Sequence, residues 1–108
     1  MRDDTERLQD ILEAIAQIER YVSQGQEAFR TDELIQVWVV HHLQIVGEAA
    51  ASLSDEFQAQ HAEVPWPAII AFRNILVHEY FRIELDTVWR IVERDLPELK
   101  LGVEEILK

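Results

Sequence analysis

The chain has 108 residues, 48% hydrophobic and 29% charged, with 10 basic and 21 acidic side chains for a net charge of -11. That is the composition of a soluble globular protein with one packed core. There is no cysteine, which excludes disulfides, zinc-thiolate sites and thiol catalysis. No apolar run is long enough to span a membrane. The Met-Arg-Asp-Asp start lacks the apolar stretch of a secretory signal, so the expected location is the cytoplasm.

A first helix is expected over residues 3–24. Leu8, Ile11, Ile15, Ile18 and Val22 recur every three or four positions, a one-sided stripe. Leu12 and Tyr21 widen it, and Asp3, Asp4 and Glu6 suit the helix dipole at its amino end. Ser23-Gln24-Gly25-Gln26 stops it, with Gly25 read as a left-handed cap. Thr31 or Asp32 opens a second helix to about Leu53. Here Leu34, Ile35, Val37, Trp38, Val39, Val40, Leu43, Ile45 and Val46 cover more than one face, so it is expected to be buried on two sides, one of them against a second protomer. Gly47 weakens a helix but lets another approach closely.

Ser52 to Glu63 is polar, with a short helical turn expected at Ser54–Gln60. Val64-Pro65-Trp66-Pro67 marks the start of a third helix, because proline suits a first turn. It carries Ile69, Ile70, Phe72, Leu76 and Val77. A last stripe, Leu85, Val88, Val92, Leu96, Leu99, Val103 and Ile106, predicts helix from Glu84 to Arg94 and a kink or restart at Pro97. No segment alternates with period two. The expectation is an all-α antiparallel bundle of four to five helices forming a single domain over residues 1–108.

The chemistry-bearing stretch is Arg73-Asn74-Ile75-Leu76-Val77-His78-Glu79-Tyr80, embedded in apolar neighbours. Polar groups there need partners or a purpose. On an α-helix Arg73 and Tyr80 are nearly eclipsed, whereas Arg73 and His78 lie roughly 140° apart. One helix does not converge Arg73 and His78; two copies facing across a twofold axis would. Histidine exchanges a proton near neutral pH. Arginine offers a permanent planar fork to phosphate oxygens. The pair suits RNA cleavage in which the 2′-hydroxyl attacks the adjacent phosphorus and the guanidinium stabilises the phosphorane. No acid cluster with metal-ligand spacing accompanies them, so no metal or other cofactor is expected. The bland alternatives are a hydrogen-bonded structural histidine, Arg73 paired with Glu48, and Tyr80 as a core aromatic. Trp38, Trp66 and Trp89 read as packing residues, the adjacent His41 and His42 as a poor metal pair, and His61 as a loop residue.

The charge argues against loose binding of nucleic acid over the whole surface. Residues 71–94 balance Arg73, Arg82, Arg90 and Arg94 against Glu79, Glu84, Asp86 and Glu93, so the remaining residues carry the -11. Anion binding should therefore be local to the second half. The acidic remainder reads as a solvated face or as docking surface for a basic partner.

Arg-Asn, three residues and then His resembles the motif of the HEPN superfamily, and its extension to Arg-x4-His-x-Tyr resembles the HepT-like toxins. Ile45-Val46-Gly47-Glu48-Ala49-Ala50, Val64-Pro65-Trp66 and Val88-Trp89 stand in the same order as in that family. The resemblance implies a homodimeric HEPN bundle with the Arg–His motifs in an interface cleft. The implied activity is a metal-independent ribonuclease, toxic to the cell, acting on tRNA or mRNA rather than DNA. Arg73 and His78 would be catalytic and Asn74 supporting. The implied partner is a minimal nucleotidyltransferase antitoxin that transfers AMP from ATP to Tyr80. Competing readings are a non-catalytic interaction or nucleotide-binding module that partners such an enzyme, and a substrate-binding subunit of a small-molecule nucleotidyltransferase.

Overall fold

The structure is a computed structural model that describes residues 3–74 and 85–108. Among these it is all α-helical, with no strand. The elements are α1 (Asp4–Val22), α2 (Gln26–Thr31), α3 (Glu33–Ala51), α4 (Asp55–Gln60), α5 (Trp66–Ile70), α6 (Leu85–Arg90) and α7 (Leu96–Leu107). A 3₁₀ turn, Ala71–Asn74, follows α5, and a π turn, Ile91–Asp95, joins α6 to α7.

Helix α1 forms where the stripe predicts it. Leu8, Ile11, Ile15 and Ile18 are all buried. The Asp3 carboxylate accepts from the Glu6 N–H at 2.8 Å and satisfies one of the free donors of the first turn. Helix α3 is capped likewise, with the Leu34 N–H donating to Asp32 Oδ1 at 2.9 Å. The two helices run antiparallel along each other. At one end the Ser54 N–H and Oγ donate to the Asp4 carboxylate at 2.9 and 2.8 Å. Nearer the other end, the Trp38 indole N–H donates to the Gln17 carbonyl at 2.7 Å, and Tyr21 meets Trp38 edge to face. Helix α7 also lies against α1, burying Leu96, Leu99 and Val103, with Lys100 paired to Glu19 at 3.1 Å.

Two expectations change. Gly25 does take a positive φ of 100°, but its ψ of 169° is not the left-handed helical cap. It opens the short helix α2, which sequence reading passed over. Helix α2 exists for its one fully buried side chain, Phe29, tilted against Trp89 with ring centroids 5.4 Å apart. The Gln36 amide donates to the Phe29 and Arg30 carbonyls at 2.9 and 3.1 Å and so caps its end. Secondly, the restart at Pro97 is a π turn placed just before it. The Leu96 N–H bonds to the Ile91 carbonyl, five residues back. Proline would clash with the carbonyl four residues earlier and has no N–H to give it, and a widened turn relieves both. Helix α3 buries one side within this chain, and the side expected to meet a second protomer is the one left open. Ile35, Val39, Val40, Leu43 and Val46 are core. Leu34, Val37 and Ile45 are 81%, 55% and 36% exposed.

Candidate active site

The described part of the motif sits where two backbones meet. Pro65 precedes α5 and Pro67 lies in its first turn, and buried Trp66 anchors the start by donating its indole N–H to the His61 carbonyl at 3.0 Å. Ile69 and Phe72 then turn inward. This leaves Arg73 half-buried and Asn74 exposed at the end of the 3₁₀ turn. An α-helix continuing through residue 80 was expected. The described turn instead advances about 120° per residue rather than 100°, so the α-helical wheel does not hold at Arg73. His78 and Tyr80 lie outside the described residues, as does the convergence of His78 on Arg73.

Beneath Arg73 lies Gly47 of α3. A methyl group placed on Gly47 would fall 2.5 Å from the Arg73 backbone nitrogen, 3.0 Å from its Cβ and 3.1 Å from its Cα. The glycine costs a helix roughly 1 kcal/mol against alanine, and this contact is what it permits. One residue on, the Glu48 carboxylate stands 3.7 Å from Arg73 Nη1, with side-chain exposures of 67% and 41%. The structural pairing of Arg73 with Glu48 weighed from sequence is therefore present. A solvated pair contributes at most about 1 kcal/mol, so stability alone does not require it.

Glu48 also lines a cavity of about 460 Å³ between α1 and α3, with Arg7, Asp10, Glu13, His41 and His42. His42 is buried, and its Nδ1 donates to the Trp38 carbonyl at 2.8 Å. That bond satisfies His42 within the core, while neighbouring His41 is exposed. Among the described residues no cluster of three potential ligands could hold a metal ion, and no helix is long and apolar enough to cross a membrane. Trp66 and Trp89 are buried, and Trp38 is partly so, as packing residues should be. Sequence reading took Gly47 as a place for close approach but did not identify Arg73 as what approaches.

A family model described as ribonuclease HepT-like matches residues 11–106. A protein of Thermococcus cleftensis named "Probable ribonuclease HepT" is 34% identical over 108 residues, covering 99% of this chain and 98% of that one. A protein of Methanocaldococcus jannaschii named as a gamma-glutamylcyclotransferase and putative RNase is 37% identical over 110 residues. That match takes in 100% of this chain and 48% of the relative, so the chain spans about half its length. Another from Caldanaerobacter subterraneus, named as a putative RNase, is 37% identical over 91 residues, 84% of this chain and 81% of the relative. No solved structure matches the chain. On the extent of these matches and its all-α fold, the chain belongs to the ribonuclease HepT-like family of the HEPN superfamily.

Proposed function

We propose that the chain cuts RNA without a metal ion, with Arg73 and His78 as its catalytic pair, as the toxin of a toxin–antitoxin system. The observation that carries this reading is the placement of Arg73: a half-buried base on a turn whose backbone packs against α3, with a solvent-reachable guanidinium. A cation held from its backbone side and open at its tip suits a phosphate whose charge grows during reaction. His78 would accept the 2′-hydroxyl proton as that oxygen attacks phosphorus, and return a proton to the departing 5′-oxygen. The products are a 2′,3′-cyclic phosphate and a 5′-hydroxyl end. Asn74, next to Arg73 and exposed, would orient the substrate.

The active form is a homodimer, and the exposed apolar residues Leu34, Val37 and Ile45 on α3 support an association surface. Control is exerted by an adjacent minimal nucleotidyltransferase that adds AMP to Tyr80. The added bulk and phosphodiester charge on the motif would then oppose binding of an RNA phosphate. Expressed without its partner, the wild-type chain is expected to arrest growth, and Arg73→Ala and His78→Ala to be harmless at equal soluble levels. Toxicity retained in both variants would sink the assignment. Harmless wild type would favour a non-catalytic binding module. Co-expression with the nucleotidyltransferase should raise the intact mass by one or more AMP units on Tyr80. A Tyr80→Phe chain silenced as fully as wild type would rule that control out.

A further inference from the structure

We infer that Gly47 and Glu48 together seat Arg73, with Glu48 as a positioning residue for RNA cleavage. This rests on the ribonuclease reading above. The two residues act on different parts of Arg73. Gly47 is buried in α3, and all three closest atoms to a methyl added there belong to Arg73, two of them backbone. Backbone cannot swing aside as a side-chain tip can. Any larger residue at position 47 must therefore push the 3₁₀ turn outward, carrying Arg73 and Asn74 with it. Glu48 then acts at the far end of the side chain, through its carboxylate 3.7 Å from Nη1. Among the described residues it is the ion-pair partner of Arg73. The separation exceeds a hydrogen bond, so the carboxylate biases the direction of the fork without locking its donors.

The carboxylate has a second effect of opposite sign. It is a negative charge beside the point where an RNA phosphate would bind, so it opposes substrate while orienting the cation. Removing the charge should therefore lower kcat per folded molecule without raising KM, with the folded fraction of each variant measured by circular dichroism so that a loss of stability is not read as a loss of kcat. In Glu48→Gln, the less oriented fork lowers kcat by about tenfold, as small misplacements of catalytic groups do. Relief of repulsion leaves KM unchanged or lowers it by up to about fivefold, the range of one exposed charge pair.

The test measures kcat and KM on a 5′-labelled single-stranded RNA, using the full chain and the variants Glu48→Gln, Glu48→Asp, Gly47→Ala and Glu13→Gln. Glu13 is an exposed acid on the same α1–α3 cavity and controls for a general loss of negative charge. The expected result is a lower kcat without a higher KM in Glu48→Gln, partial recovery in Glu48→Asp, and values within about twofold of wild type in Glu13→Gln. In Gly47→Ala a kcat loss of about 100-fold is expected; if that variant does not fold, Glu48→Gln decides. An unchanged kcat in Glu48→Gln, or a raised KM, overturns the seat while leaving the ribonuclease reading intact. A wild-type chain that cuts no RNA overturns the ribonuclease reading and the seat with it.

Discussion

At the scale of single residues, the site and the core ask different things of their side chains. Arg73 keeps a fork in solvent while its backbone is pressed on Gly47. Its truncation to alanine should abolish cutting yet shift Tm by only a few degrees, since a solvated pair contributes at most about 1 kcal/mol. Phe29 is the opposite case, fully buried and stacked near Trp89. Phe29→Ala is expected to cost about 3–5 kcal/mol, read as a fall in the urea midpoint without a change in slope. A loss under about 1 kcal/mol would mean that α2 does not pin the bundle. The Arg73–Glu48 pairing was legible as two opposite charges each set among apolar neighbours in the sequence. The identity of the residue seated on Gly47 was not, because a glycine announces close approach without naming the visitor.

Among elements, α1 and α3 were readable from periodicity and caps, and their boundaries fall within two residues of expectation. Helix α2 was hidden because six residues with one buried aromatic carry no periodic signal. The π turn was hidden because proline predicts an interruption but not its form. Leu34 and Val37 lie one turn apart and border, with Tyr21 and Trp38, a groove of about 820 Å³. If this surface carries the proposed dimer, Leu34→Asp combined with Val37→Asp should weaken self-association by at least about tenfold by equilibrium sedimentation, leaving helicity unchanged. Association unaltered by both changes would move the interface elsewhere.

For the whole molecule, the charge of -11 limits how RNA can be held. A chain this acidic disfavours broad phosphate contact, so the proposed binding runs through a few local cations such as Arg73. Single-stranded RNA held through about two phosphates would lose roughly sevenfold in affinity between about 50 and 200 mM salt. A loss of about 1,000-fold would reveal an extended basic track instead. The helical architecture was legible because hydrophobic stripes set it. The proposed catalytic geometry was not, since helical spacing alone leaves Arg73 and His78 apart and the proposed convergence calls for a second chain.

The most direct measurement is cleavage of a defined RNA by the purified chain in excess EDTA, with the product ends identified by mass spectrometry. Metal-independent cutting that leaves 2′,3′-cyclic phosphate and 5′-hydroxyl ends, lost by at least about 100-fold in Arg73→Ala and in His78→Ala, is expected. Cutting that stops in EDTA, or that both variants perform as wild type does, would contradict it.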